Sequence, residues 1–132
     1  MAGGSITRAE TMTKTDWISR RNWIINEIEA LPARSINYRL AFAEALSKNK
    51  DWVFTAFEIM KHWLRDVVIC KHCPEKIINM DLSDKIKTAS KQTPVGLLIS
   101  KIKAIEKAER DIKANANLRL TLDTLTITLS KG

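Results

Sequence analysis

The segment from residue 51 to residue 72 restricts the possible folds most strongly, because its apolar side chains are not confined to one helical face. These side chains are Trp52, Val53, Phe54, Phe57, Ile59, Met60, Trp63, Leu64, Val67, Val68 and Ile69. A helix that is apolar on several sides has to be buried by several neighbours. At about 1.5 Å per residue it would span roughly 33 Å, the width of a small domain. Charged residues such as Arg65 and Asp66 interrupt the segment, so we expect a long central helix in water rather than in lipid.

The rest of the chain contains few residues that break helices, with four glycines and three prolines among 132 residues. An all-β fold of this length would need more turns. Apolar periodicity predicts further helices at about 16–31, 36–48, 81–90, 94–114 and 118–129. The predicted fold class is therefore all-α, a bundle of five to six helices around a long central helix.

Polar residues at the predicted helix starts indicate where several helices begin. Ser35 is suited to cap the second helix, and either Asp81 or Ser83 could cap the short fourth helix. Thr93 followed by Pro94 combines an N-cap side chain with a proline at the first helical position. These residues predict where the second, fourth and fifth helices begin.

Two apolar stripes are expected to face the core. The stripe of the first helix consists of Trp17, Ile24, Ile28 and Leu31, with Ile25 beside it. The stripe of the second helix consists of Ile36, Leu40, Ala43 and Leu46. All four tryptophans precede residue 64. We expect them in the core, and any tryptophan that stays exposed would mark a partner surface.

The last segment, residues 118–129, fits two patterns. Alternating leucines and interleaved threonines are typical of a strand. However, Leu118, Leu122, Leu125 and Leu129 also form a helical stripe, and Asn117 before them is a good N-cap. Since a lone strand would have no partner in an otherwise helical chain, we predict a helix.

Composition places the chain among single-domain proteins, with 45% hydrophobic residues and a net charge of +7. A basic balance favours an anionic partner, although lysine-rich solvated helices have the same composition. There is no apolar run long enough for a membrane span, and the first 15 residues lack the apolar core of a signal peptide. With only two cysteines, a cytoplasmic, reducing location is expected.

Cys70 and Cys73 form a C-x-x-C pair at the predicted end of the central helix. A redox-active pair needs the N-terminal end of a helix, where the dipole stabilises the thiolate. A structural zinc site needs about four ligands, and His62 would lie too far along the helix axis to share a metal with Cys73. We therefore predict no metal and no cofactor, with a small metal or redox domain as a further alternative.

A basic stretch from residue 85 to residue 113 contains eight lysines or arginines and three acidic residues. Phosphate contact is possible there, and Lys101, Lys103 and Lys107 are the candidate contacts for nucleic acid or a partner. The mixed charges at i, i+4 spacing are also typical of a solvated helix face. The competing interpretation of the chain is a stand-alone basic helical module that binds nucleic acid.

Three stretches together resemble the C-terminal collar domain of the delta-prime subunit of the bacterial DNA polymerase III clamp loader. They are Trp-Leu-Arg-Asp at residues 63–66, Ile-Ile-Asn-Met-Asp-Leu at residues 77–82, and residues 102–129 with the Asn-Ala-Asn-Leu-Arg-Leu run at 115–120. The resemblance covers about residues 16–130. Leu118 stands where relatives often have proline, and the threonine-rich end is unusual.

The resemblance implies a non-catalytic assembly domain that supports loading of a sliding clamp onto primed DNA. Its partners would be the other clamp-loader subunits, with DNA reached indirectly through the complex and with neither a membrane nor a small-molecule substrate. Asn115, Asn117 and Arg119 are predicted to fix the corner between the last two helices and to reach a neighbouring subunit.

The first residues resemble the end of a preceding domain. Residues 4–9 are similar to a Gly-Ser to Arg-Ala step late in the lid domain of the same family. We therefore expect residues 1–15 to be a remnant of that lid domain or a leader, and residues 16–132 to be the helical collar domain. The nucleotide-sensing role of the family's arginine is not carried over to Arg8, because the rest of the nucleotide site lies upstream.

Overall fold

The computed structural model describes residues 14–131, and the elements in that range are all helical. The six α-helices are α1 (Lys14–Ala30), α2 (Ile36–Ser47), α3 (Lys50–Cys70), α4 (Ser83–Gln92), α5 (Val95–Lys113) and α6 (Leu118–Leu129). Short 3-10 turns lie at Leu31–Ala33, Pro74–Lys76 and Met80–Leu82. The predicted all-α bundle is confirmed. The predicted lid remnant or leader at residues 1–15 lies almost entirely outside the described residues.

Helix α3 is the centre of the bundle, as its apolar sequence predicts. It packs against α1, α2, α4 and α5, while α6 closes the bundle against α2 and α5. Phe57, Met60 and Trp63 of α3 are fully buried. Burying a large apolar side chain contributes about 1.5–3 kcal/mol, so this helix supplies much of the stability of the fold.

The last segment forms helix α6 and not a strand. Leu122, Leu125 and Leu129 are buried along one side of it, and the Asn117 side chain accepts a hydrogen bond from the Leu120 amide at 2.9 Å. The threonines are accommodated because hydroxyl groups of α6, such as that of Thr126, donate to carbonyls of the preceding turn. Packing partners on α2 and α5 therefore decide between the two patterns.

The predicted N-caps of two helices are wrong. Helix α5 begins at Val95 with Pro94 at the N-cap and no side-chain cap, so Thr93 does not cap it. Helix α4 follows directly from the 3-10 turn at Met80–Leu82 and has Leu82 at its N-cap, again without a side-chain cap. Because the preceding turn already orders the backbone, neither Asp81 nor Ser83 serves as a cap.

Other helix starts agree with their capping residues. Ser35 accepts a hydrogen bond from the Tyr38 amide at 3.3 Å, as predicted. Asn49, which the sequence reasoning did not single out, caps α3 by accepting from the amides of Asp51 and Trp52. Each such cap satisfies an amide that has no partner within its helix.

The predicted stripes of α1 and α2 are wrong in their first turns. Trp17 is 40% exposed, Ile36 is 57% exposed and Leu40 is also exposed. The buried residues of both helices lie in their second halves, including Ile28 in α1 and Phe42 in α2. The first turns therefore extend past the core, a tertiary feature that helical periodicity does not record.

No helix within residues 14–131 is long and apolar enough to cross a membrane.

Candidate subunit interface

The corner between α5 and α6 is built by local backbone geometry. Asn115 has φ of 66°, the only positive φ of a non-glycine residue in the described part of the chain. Its amide donates to the Ile112 carbonyl at 3.0 Å, and the Ala116 amide donates to the Asp111 carbonyl at 2.9 Å. These two bonds form a Schellman motif, in which asparagine tolerates the left-handed position better than most residues. The predicted role of Asn115 in the corner thus has a physical basis.

Asn117 and Arg119 continue the corner into α6. Asn117 caps the helix through the Leu120 amide. The Arg119 guanidinium donates to Asp123 at 3.0 Å and to the carbonyl of Leu40 at 3.4 Å, and it lies 3.9 Å from Glu44. Arg119 therefore connects α6 with α2 across the surface of the bundle.

A groove of about 380 Å³ runs beside this corner, between α5 and α6. The α5 wall consists of Ala104, Lys107, Ala108 and Asp111, and Ala116 lies at the corner itself; the α6 wall consists of Asn117, Leu120, Thr121, Thr124, Leu125 and Thr128. Ala108 and Leu125 are buried at its base, whereas Leu120 is 65% exposed. The groove is therefore apolar at its base and open to solvent.

The three candidate lysines of α5 do not share a surface. Positions 103 and 107 are one turn apart and both are exposed, whereas Lys101 lies on another side of the helix and is buried. Lys107 forms an ion pair with Asp111 at 2.7 Å. Of the two exposed lysines, Lys103 is therefore the one that does not belong to this ion pair.

Lys101 belongs to the inner side of the bundle, near Glu29 of α1. Burial lowers the pKa of the Lys101 ammonium, and attraction to the Glu29 carboxylate counteracts part of that change. The same carboxylate accepts a hydrogen bond from the indole N–H of Trp63 at 3.2 Å. The Lys101 side chain thus contributes to the contact of α5 with the core.

The sequence reasoning missed a polar cluster around the buried Asp66, which we name the Asp66 cluster (Arg21, Asp66, Asn79 and Asp81 with the backbone of 78–79). Asp66 has no exposed surface. It accepts from the amides of Ile78 and Asn79 at 2.9 and 2.8 Å and from the Asn79 side chain at 2.8 Å. Three donors satisfy the buried carboxylate, as a buried charge requires. This contact joins the two motifs at 63–66 and 77–82.

Arg21 of α1 completes the Asp66 cluster. Its guanidinium donates to Asn79 Oδ1 at 3.2 Å and to both carboxylate oxygens of Asp81, at 3.1 and 2.5 Å. The hydrogen bond from Arg21 holds the pKa of Asp81 below its usual value. The signal available in the sequence was a carboxylate on the most apolar helix, which has to be paired if it is buried.

Cys70 is buried at the last residue of α3, and Cys73 is half-buried beyond it; both thiols are free. His62 is exposed. Within residues 14–131 there is no group of three or more histidine, cysteine, aspartate or glutamate side chains that could hold a metal ion.

Fold and corner together define a class, the small all-α domain with one central helix. The family model described as the C-terminal part of the DNA polymerase III delta subunit matches residues 15–129, from the first turn of α1 to the end of α6. The chain therefore belongs to this clamp-loader family. Neither a curated protein nor a solved structure matches the chain.

Family membership confirms the predicted link to clamp loading by DNA polymerase III. It also indicates interaction with other components of the replication complex, and the family is not in itself a catalytic one. The family model that matches is the one for the delta subunit, so the assignment to the delta-prime subunit stays a prediction.

Proposed function

We propose that this chain is an assembly domain of a DNA polymerase III clamp loader, which joins neighbouring subunits in a helical collar. The observation that carries the proposal is the family match over residues 15–129, because it covers the whole bundle rather than a single motif. The domain would support loading of the sliding clamp without performing catalysis itself.

The surface of α6 supports a role in assembly. Leu120 of α6 lines the groove between α5 and α6, and its side chain is 65% exposed. Exposed apolar side chains that line a groove are typical of partner surfaces. In this proposal Asn115, Asn117 and Arg119 hold the corner rigid, so that α6 presents this side chain in a fixed orientation.

The proposal includes a location and a place within the complex. Residues 1–15 would be the end of the preceding lid domain or a leader, and residues 16–132 the collar domain. The complex would work in the cytoplasm and reach DNA through its other subunits. The resemblance at 63–66, 77–82 and 115–120 favours the delta-prime subunit, and the family description favours delta.

A direct contact with DNA is the second candidate, and the net charge of +7 favours it. Lys103 and Lys107 are exposed on one side of α5, whereas the burial of Lys101 counts against a contact through all three lysines. Binding through phosphate contacts would weaken steeply as salt rises.

Light scattering after size exclusion tests the assembly proposal. The chain is mixed with the other purified clamp-loader subunits of its source organism, once with the delta subunit omitted and once with delta-prime omitted. We expect a stable mixed complex in the mixture that lacks the subunit which this chain replaces. A chain that elutes alone from both mixtures contradicts the proposal, and salt-sensitive DNA binding by that chain would support the second candidate.

A further inference from the structure

We infer that the groove between α5 and α6 receives an amphipathic helix of another clamp-loader subunit, with small apolar side chains flanked by acidic residues. This inference rests on the proposed function and specifies the partner surface within it. It follows from the shape of the groove, the size of the side chains at its base and the distribution of charge beside it.

The lining of the groove fits a helix better than an extended chain. Ala104 and Ala108 lie one turn apart on α5, and Ala116 continues the row of small side chains at the corner. Helix axes approach to about 8–10 Å, and small residues at the contact permit the shorter separations. A partner helix that presents small or medium apolar side chains at i, i+3 and i+4 would fill such a groove.

The charge beside the groove specifies the flanks of the partner helix. The outer side of α5 carries more basic than acidic side chains: Lys103, Lys107, Arg110 and Lys113 against Glu106 and Asp111. The two charged residues that line the groove, Lys107 and Asp111, are paired with each other, so the net positive charge lies beside the groove. The α6 wall contributes leucines, threonines and Asn117, none of them charged. Acidic side chains on the flank of the partner would therefore meet the net positive charge of α5 beside the groove, to which Lys103 and Arg110 contribute.

The same charges disfavour a second copy of this chain as the occupant. Each copy has a net charge of +7, and like-charged surfaces repel on approach. The exposed faces of α5 and α6 offer another copy no acidic margin comparable to the basic one.

Two matched substitutions on α6 test the groove. Leu120 lines the groove and Ile127 does not, yet both are exposed to a similar extent on the same side of the helix. Leu120→Glu places a charge over the apolar base, so we expect it to weaken binding to the assembled remaining subunits by about 30-fold or more. Ile127→Glu should weaken it less than about threefold, which is usual for a contact at the margin. Binding is measured as a Kd by surface plasmon resonance.

A charge reversal tests the acidic flank of the partner. Lys103→Glu should slow association about fivefold at low salt, and the difference should disappear at high salt. Lys87→Glu on α4 makes the same charge change at another exposed position, and we expect it to leave the association rate within about twofold of the original.

Photo-crosslinking identifies the occupant directly. With p-benzoylphenylalanine at position 120, we expect the crosslink to map to a helical segment of another subunit that carries aspartate or glutamate beside its apolar stripe. A crosslink to a basic segment, to a second copy of this chain or to DNA would overturn the inference.

The outcomes separate this inference from the function on which it rests. If the unmodified chain binds no clamp-loader subunit, the proposed function fails and the groove inference fails with it. If the unmodified chain binds and Leu120→Glu binds as tightly, the assembly function stands and the groove inference is wrong.

Discussion

Two corners of the bundle are held in place by different kinds of contact. The connector between α3 and α4 is held from a distance, because Asp66 and Arg21 reach it across 12 to 60 positions of sequence. The corner between α5 and α6 is held by its own residues, through the backbone of Asn115 and the side chain of Asn117. The first corner buries the carboxylate of Asp66, and the second leaves both asparagines exposed.

The difference indicates where each corner can tolerate change. A buried carboxylate without its hydrogen-bond donors costs the full free energy of its desolvation, and the same is true of buried donors without their carboxylate. An exposed corner can exchange lost hydrogen bonds for water. The Asp66 cluster should therefore control stability, while the asparagine corner stays available for contacts with a partner.

The largest effect is expected from Asp66→Ala. It leaves the amides of Ile78 and Asn79 without their acceptor, and hydrogen bonds to charged groups contribute about 1.5–3 kcal/mol each. We expect the free energy of unfolding to fall by about 3 kcal/mol or more, as measured by urea titration. Glu75→Ala, an exposed carboxylate in the same connector, should change it by less than about 0.5 kcal/mol. Equal effects of the two substitutions would remove the distinction between the corners.

A smaller effect is expected from Asn115→Val, because a β-branched residue is strained at φ of 66°. The cost should be about 1–2 kcal/mol in the free energy of unfolding. Asn115→Gly relieves the strain and should stay within about 0.5 kcal/mol of the original. If valine and glycine give the same midpoint of unfolding, the left-handed conformation does not hold this corner.

Asn117→Ala removes the N-cap of α6 and should cost about 1 kcal/mol, seen as a lower melting temperature in calorimetry. Asn117→Ser keeps an oxygen that can accept from the Leu120 amide and should retain most of the stability. An unchanged melting temperature for the alanine variant would contradict the capping role.

The smallest effect concerns the pH dependence of the contact between Arg21 and Asp81. The hydrogen bond from Arg21 lowers the pKa of Asp81 in the folded protein. The contact therefore stabilises the fold at pH values above the pKa of Asp81 in the unfolded chain, which is about 3.9. This stabilisation is lost as pH falls through the lower folded pKa. Asp81 is largely exposed, so the contribution should be under about 1 kcal/mol.

Carbon NMR of the Asp81 carboxyl group measures this effect. Arg21→Ala should raise the pKa of Asp81 towards the usual value, and the stability difference from the original should narrow below pH 4. An Asp81 pKa that does not change would show that Arg21 does not stabilise the carboxylate.

Features set by residues close together in the sequence could be predicted, whereas contacts between distant residues could not. The cap at Asn117 and the buried centre of residues 50–70 follow from local spacing, and both are confirmed. The helix at 118–129 is also confirmed, but its spacing fitted a strand as well, and the prediction depended on the absence of a partner strand. The roles of Asp66 and Arg21 depend on residues that meet only after folding, so local patterns could not assign them. The exposed first turns of α1 and α2 have the same origin, because periodicity defines a face without showing how far the core extends.

The candidate subunit interface could likewise be predicted only in part from the sequence. Asn117 was found from sequence because cap chemistry is encoded within a few residues, whereas Asn115 was found through the family resemblance. The groove beside them was not found, because its walls come from two helices whose packing the sequence does not specify. The division of Lys101 from Lys103 and Lys107 was missed, since a lysine at a buried position is uncommon and gives no separate signal.

The burial of Trp63 gives the bundle an optical probe of its own interior. Its indole ring is fully enclosed, whereas Trp17 and Trp23 are each about 40% exposed. Indole emission shifts with the polarity around the ring, and a dissolved quencher has to reach the ring to act. With Trp17, Trp23 and Trp52 replaced by phenylalanine, the remaining emission would report on the centre of α3 alone. Opening of the core would then be seen separately from any event at the surface.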